Sequence, residues 1–140
     1  MIKRLMKYKY EIILGLITIA LASSIIISIK PIPEICDPNS GCDVTLNSAY
    51  AFTLGIKNSY MGIIGFSAIF LILLSHIKNP THKKKKVITF LLVLGSAIAV
   101  YFIAIQFFVL KAYCNYCLIV DISLIIALIF LIISSIKNKN

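Results

Sequence analysis

The chain has 140 residues, of which 60% are hydrophobic and 14% are charged. An average soluble domain is about half apolar and about a quarter charged, so this composition excludes a soluble single domain and a disordered chain. A body of this size has too little interior to hide so much apolar surface, which places the chain in a lipid bilayer. The net charge of +9 would suggest nucleic acid in a soluble protein. Here the basic residues sit between apolar stretches, and we expect no nucleic-acid partner.

Four apolar stretches are long enough to cross a membrane as helices, each of which needs about 20 residues. Only helices and closed barrels satisfy backbone polar groups in lipid, and long apolar runs without alternation favour helices. The sequence predicts an all-α integral membrane protein built as a four-helix bundle. Ala20-Leu21-Ala22 fits a signal-peptide cleavage site, but the apolar run continues to Ile29, which favours a retained first span. The predicted spans lie at about 12–29, 60–77, 87–110 and 116–136, in a single domain covering 1–140.

Lysine and arginine are unevenly distributed between the segments that connect these spans. Eleven of them lie in the N-terminal segment, the 78–86 segment and the C-terminal segment, and three lie in the other connections. Because cytoplasmic segments carry the excess of Lys and Arg, we expect both termini in the cytoplasm of a multi-pass cell-membrane protein. The 30–59 loop then faces the extracytoplasmic side, and the lysine run at 83–86 contacts anionic lipid.

The 30–59 loop changes character along its length. It begins with proline-rich turns, and from Val44 to Leu54 it becomes amphiphilic without Pro or Gly. That stretch is too short to span a membrane. We predict that it forms an interfacial half-helix that caps the outer end of the bundle and ends at Gly55.

Four cysteines carry the chemistry of the chain. Cys36 and Cys42 lie in the outer loop, and Cys114 and Cys117 form a C-x-x-C at the start of the fourth span. We expect the first pair to be exposed and mobile. In the second pair, residues three apart lie one helical turn apart, and the helix N-terminus favours a thiolate there. Cys114 is expected nearer water and Cys117 one turn deeper, where it can meet a lipid-soluble redox partner.

Three interpretations of the cysteines compete. An extracytoplasmic compartment permits two static disulfides in a non-enzymatic membrane protein, but the C-x-x-C spacing is more typical of redox work. A zinc site built from all four cysteines has tolerable spacing, but an oxidising compartment disfavours it, and we predict no metal. Thiol–disulfide electron transfer between a soluble dithiol and a membrane electron carrier explains why both pairs lie on one side.

Several short motifs surround the cysteines: Cys36-Asp37 with Cys42 and Ser48, Asn58-Ser59 with Gly62, Tyr101, and Phe107-Phe108-Val109-Leu110 before Cys114-Asn115-Tyr116-Cys117. Together they resemble the vitamin K epoxide reductase family over nearly the whole chain. Another quinone-linked oxidase, DsbB, also has four helices, but its C-x-x-C lies in the first outer loop, whereas here it opens the fourth helix.

The resemblance implies a role for each cysteine. Cys117 would reduce a membrane quinone of the menaquinone or ubiquinone type, and Cys114 would be its partner in the active-site disulfide. Cys36 and Cys42 would carry electrons from an external dithiol protein, with Cys42 pairing with Cys114. In bacteria and archaea such proteins reoxidise a thioredoxin-like or DsbA-like protein that makes disulfides in secreted substrates. Since the chain ends at Asn140, we expect that partner to be separate. We also expect the chain itself to be a monomer.

Three further residues concern the quinone site, and a fourth polar residue, Gln106, lies within the third span. The resemblance implies that Asn58 donates a hydrogen bond to a quinone carbonyl and that Ser48 fixes the capping helix. Asp121 stands where some relatives carry a tyrosine that touches the quinone, and we do not predict epoxide reduction. An acid inside a span is a functional candidate, so Asp121 is a hypothetical proton relay or quinone contact, the alternative being a hydrogen bond within the bundle. Gln106 is expected to bond between helices.

Overall fold

The computed structural model describes residues 2–137 and 139 of the chain. Four of its helices are long and apolar enough to cross a membrane, which confirms the predicted all-α membrane architecture. Short elements fill the connection between the first two of these. The elements are α1 (Ile2–Ile29), α2 (Ile32–Ile35), α3 (Gly41–Asn47), a 3-10 turn (Ala49–Ala51), β1 (Phe52–Thr53), β2 (Ile56–Lys57), α4 (Asn58–Lys78), α5 (His82–Ala104), a π-helical extension of α5 (Ile105–Leu110) and α6 (Asn115–Lys137).

The four long helices do not pack evenly around the bundle. The first, α1, packs along both α4 and α6, and α6 packs in turn along α5, whereas α4 and α5 touch much less. Apolar side chains from all four helices fill the centre, and the largest fully buried ones are Ile13, Ile17, Leu73, Ile88, Leu92 and Leu131. The loose contact between α4 and α5 leaves space inside the bundle.

A short helix lies in the connection between α1 and α4, but its bounds differ from the predicted 44–54. It begins after Ser40, whose side chain accepts a hydrogen bond from the Asp43 amide at 3.3 Å. It ends at Asn47, and at the following Ser48 the backbone becomes extended and the hydroxyl donates to the carbonyl of Thr45 at 2.8 Å. The prediction was therefore wrong about the length of the helix, because serine side chains cap both of its ends.

A two-stranded hairpin replaces the second half of the predicted helix. Phe52 pairs with Lys57, and Leu54 and Gly55 form the turn with φ angles of 54° and 80°. Two consecutive positive φ angles make a tight hairpin turn, so Gly55 turns a hairpin rather than ending a helix. Asn58 joins this hairpin to the preceding turn, because its side-chain oxygen accepts from the Thr53 hydroxyl and its side-chain amide donates to the Tyr50 carbonyl.

Candidate functional site

Helix α3 lies directly against the linker 111–114 that joins α5 to α6. The Thr45 hydroxyl donates to the carbonyl of Gly41 at 2.7 Å, and its oxygen lies 3.4 Å from the carbonyl oxygen of Ala112 in the linker. A Cβ placed on Gly41 would come within 2.6 Å of the Tyr113 carbonyl oxygen and 2.7 Å of its nitrogen. Only glycine permits so close an approach between the two backbones. The helix therefore brings its cysteine, Cys42, against the C-x-x-C.

The loop cysteines form a disulfide, Cys36–Cys42. Cys36 is 5% exposed and Cys42 is half-buried, so the expectation that the pair is exposed was wrong. The reason is the docking of α3 on the linker, which covers the pair from one side. The sulfur of Cys42 lies 3.9 Å from the sulfur of Cys114. That separation places one sulfur of the disulfide next to a free thiol, the arrangement that thiol–disulfide exchange requires.

Cys114 is fully buried, with 0% exposure, rather than nearer to water than Cys117. Its sulfur occupies the N-terminal end of α6 and accepts a hydrogen bond from the Cys117 amide at 3.3 Å. The pKa of the Cys114 thiol is lowered mainly because the Cys117 thiol donates a hydrogen bond to its sulfur. The backbone amides of Cys117 and Tyr116 also donate, and together these hydrogen bonds outweigh the desolvation that raises the pKa. Cys114 is therefore set up to ionise despite its burial.

Gln106 fixes the position of Cys114. Its side-chain oxygen accepts a hydrogen bond from the Cys114 amide at 3.0 Å, and it is 2% exposed. The sequence indicated a polar contact between helices at this residue but gave no sign that the contact reaches the C-x-x-C. The signal available was the position of a polar side chain in an apolar run, eight residues before Cys114.

A cavity of about 580 Å³ lies between α4 and α5, at the end of the bundle that carries the cysteines. Cys117 lines this cavity, whereas Cys114 does not. Its walls are mostly apolar, and its rim includes the exposed side chains of Leu94, Ile98 and Tyr101, which open it toward the surface of the bundle. A pocket of this size and character suits a planar apolar ligand with a few polar atoms.

The structure brings the other predicted site residues to the same cavity. Ser48, Asn58 and Asp121 all line it together with Cys117. The Asn58 side chain accepts a hydrogen bond from the Thr53 hydroxyl at 2.7 Å and donates to the Tyr50 carbonyl at 2.7 Å, which leaves a second amide hydrogen to donate. Asp121 lies one turn beyond Cys117 on α6 and is 8% exposed.

The competing zinc interpretation can be compared with this geometry. Among residues 2–137 and 139, no group of three or more His, Cys, Asp and Glu side chains is placed to hold a metal ion. Two of the four cysteines are bonded to one another, and the remaining pair, Cys114 and Cys117, is free. One oxidised pair beside one reduced pair is an arrangement through which electrons can pass.

The chain was also compared with known proteins. A family model described as "Vitamin K epoxide reductase family" matches residues 11–132, which is most of the 140-residue chain. The match includes all four cysteines and every residue that lines the cavity. No curated protein and no solved structure matches the chain.

Proposed function

The chain belongs to the vitamin K epoxide reductase family, and on that premise we propose that it is a membrane thiol–quinone oxidoreductase supporting disulfide bond formation. The observation that carries the proposal is the position of Cys114 between two sites. Its sulfur lies 3.9 Å from Cys42 of the loop disulfide, and it accepts a hydrogen bond from the amide of Cys117, which lines the apolar cavity. Electrons can therefore pass from the loop pair to the cavity by contacts between neighbouring cysteines.

The loop pair receives electrons first. A thioredoxin-like or DsbA-like dithiol protein reduces the Cys36–Cys42 disulfide, becomes oxidised itself and leaves two thiols on this chain. A groove beside the disulfide, lined by Cys36, Cys42, Tyr113 and Tyr116, offers a place for that partner's reactive loop. The partner's own disulfide then becomes available to secreted substrates.

The second transfer is an exchange within the chain. The Cys42 thiolate attacks the Cys114 sulfur of an oxidised Cys114–Cys117 pair, so a Cys42–Cys114 bond forms and Cys117 leaves as a thiolate. Cys36 then attacks Cys42, re-forms the loop disulfide and releases Cys114. The lowered pKa of Cys114 favours this release, since a more acidic thiol leaves faster.

The third transfer ends at the cavity. A quinone bound there would accept two electrons and two protons. Cys114 and Cys117 supply both electrons as the bond between their sulfurs forms, and their two thiol protons are released. Cys117 faces the cavity, and Asn58 has an amide hydrogen free to donate to a carbonyl oxygen. The chain's residues thus fit a quinone headgroup of the benzoquinone or naphthoquinone class.

Asp121 provides the proton route in this proposal. It lines the cavity on the same helix as Cys117, and in the part of the chain that the structure describes its carboxylate makes no ion pair. An intramembrane carboxyl without a basic partner is costly to keep unless it has a function. We assign it the transfer of a thiol proton toward the quinone oxygen.

The orientation of the bundle belongs to the same proposal. The eleven Lys and Arg residues at one end of the bundle, against three at the cysteine-bearing end, support cytoplasmic termini and extracytoplasmic cysteines. A reporter enzyme that is active only outside the cytoplasm, fused after Asn140, is expected to remain inactive. An active fusion would reverse the orientation.

The test of the proposed function is quinone reduction by the purified protein in detergent. A dithiol reductant is supplied, the quinone absorbance is followed, and wild type is compared with Cys117→Ala and with the control Ser123→Ala, a buried α6 side chain outside the cavity lining. Turnover by wild type and Ser123→Ala that disappears in Cys117→Ala supports the proposal. No turnover with either a benzoquinone or a naphthoquinone, in protein with reactive thiols, would instead favour static disulfides.

A further inference from the structure

Gln106 holds most of the linker that carries Cys114. Its main-chain carbonyl accepts hydrogen bonds from the amides of Lys111 and Ala112, and its side-chain oxygen accepts from the amide of Cys114. Three of the four backbone amides in the linker 111–114 therefore donate a hydrogen bond to Gln106. The π-helical end of α5 makes this possible, because its wider turns leave carbonyls free to accept from the linker.

The same side chain has a second polar atom that faces a different region. Only the oxygen of an amide can accept the Cys114 N–H, so the orientation of the amide is fixed and Nε2 points to the other side. In residues 2–137 and 139, the hydrogen bonds that involve the Gln106 side chain leave Nε2 without a partner. Gln106 is 2% exposed and lines the cavity between α4 and α5. Among the described residues, the fully buried side-chain polar atom that lacks a partner is Nδ1 of His76, so Nε2 of Gln106 keeps some accessible surface. Because Gln106 lines the cavity, this donor is open to an acceptor on the cavity's occupant.

We propose that Gln106 couples the occupant of the cavity to the exchange cysteine, an inference that rests on the proposed function. Its Nε2 donates to a carbonyl oxygen of the quinone, while its Oε1 holds the amide of Cys114. Gln106 is thus a positioning residue for Cys114 and a contact for the quinone. A bound quinone adds a second hydrogen bond to the Gln106 side chain and so reinforces the contact that keeps Cys114 beside Cys42.

The positioning half is tested without any quinone. In a Cys36→Ser/Cys117→Ser background, the fraction of protein carrying a Cys42–Cys114 disulfide is measured at equilibrium in a glutathione redox buffer. Gln106→Met removes the acceptor and is expected to lower the effective concentration of the two thiols about tenfold, the size of one lost buried hydrogen bond. Gln106→Glu keeps an oxygen acceptor and is expected to stay within about twofold of the background protein.

The ligand half is tested with the intact cysteines and a short-chain benzoquinone. Gln106→Met is expected to raise KM for the quinone about tenfold, the loss expected for one hydrogen bond to the ligand. The matched control is Ser96→Ala, which removes a buried α5 hydrogen bond to the carbonyl of Leu124 and does not reach the linker. Its KM is expected to stay at the wild-type value. Added to the Cys36→Ser/Cys117→Ser background, Ser96→Ala is expected to leave the glutathione equilibrium unchanged.

The outcomes separate this proposal from the proposed function. A glutathione equilibrium in Gln106→Met equal to that of Ser96→Ala overturns the positioning role. A KM in Gln106→Met equal to that of wild type overturns the quinone contact. If wild-type protein reduces no quinone at all, the proposed function fails, and the glutathione equilibrium still decides whether Gln106 positions Cys114. If Gln106→Met does not fold, the quinone contact is tested with Gln106→Glu instead. At high pH the carboxyl of this variant is ionised and has no hydrogen to donate. A KM for the quinone equal to that of wild type at the same pH overturns the contact.

Discussion

The sulfur of Cys114 lies 3.9 Å from that of Cys42, although the two residues are separated by 72 positions in the chain. This approach depends on two unrelated local features. One is the N-terminus of α6, where the amide of Cys117 holds the Cys114 sulfur. The other is the packing of α3 on the linker 111–114 through Gly41. The short distance between the two sulfurs therefore depends on the packing of α3 against the linker, and substitutions that change this packing should change the distance.

The Cys42–Cys114 contact predicts which mixed disulfide can be trapped. Replacing Cys36 and Cys117 together, as Cys36→Ser/Cys117→Ser, leaves one thiol at each side of the contact, so a Cys42–Cys114 disulfide is expected to form in most of the protein. Peptide mapping by mass spectrometry under non-reducing conditions identifies the bond. The comparison is Cys42→Ser/Cys117→Ser, which leaves Cys36 instead, and at least about tenfold less disulfide is expected there. Equal yields from the two variants would contradict the observed contact.

Gly41 predicts a steric effect on the same exchange. Gly41→Ala places a methyl group 2.6 Å from the Tyr113 carbonyl oxygen, and because that neighbour is backbone, α3 must move away. Overpacking of this kind costs about 1–3 kcal/mol, so the glutathione equilibrium of the Cys42–Cys114 disulfide should fall about tenfold. Gly15→Ala is the matched control, since a Cβ there meets nothing within 4 Å. If both substitutions shift the equilibrium equally, the close approach has no role in docking.

The hydrogen bonds to Cys114 predict its ionisation. The largest cause of its lowered pKa is the Cys117 side chain, and a donor stabilises the thiolate, so losing that donor must raise the pKa. In a Cys36→Ser/Cys42→Ser background, the pH at which alkylation of Cys114 by iodoacetamide is half-maximal should be higher in Cys117→Ala than in Cys117→Ser, which keeps a hydroxyl donor. The midpoint in Cys117→Ser should also lie below that of free cysteine. Identical midpoints in the two variants would exclude the side-chain contribution.

The long helices were predictable from sequence because hydropathy alone decides them. In lipid, an apolar run of about 20 residues has no alternative to a helix, so the four spans follow directly from composition along the chain. The residue range 44–54 lacked such a constraint. Its amphiphilic pattern suits a surface helix and a hairpin equally, and the outcome depended on Asn58, which bonds Tyr50 and Thr53 from outside the range. Tertiary hydrogen bonds of this kind leave no periodic signal.

The cysteine site was predictable in its residues and less so in its environment. The spacing of Cys114 and Cys117 indicated redox chemistry and a helix N-terminus, and α6 begins at Asn115. The burial of Cys36 and Cys114 was not predictable, because it follows from the docking of α3, which a glycine makes possible. The role of Gln106 also depends on docking, since its bond to Cys114 joins the end of one helix to the start of the next.

Asp121 predicts a defect that is confined to the proton-coupled step. Asp121→Asn keeps the size and polarity of the side chain but cannot give or take a proton, so kcat for quinone reduction should fall about 10²-fold, a typical contribution of general acid–base catalysis. KM for the quinone should change less than about threefold, because contacts that bind the ligand remain. Steady-state kinetics over a range of pH check this, with Ser123→Ala as the control from the same helix. Wild-type kcat in Asp121→Asn at every pH would show that the carboxyl is only a structural group of the bundle.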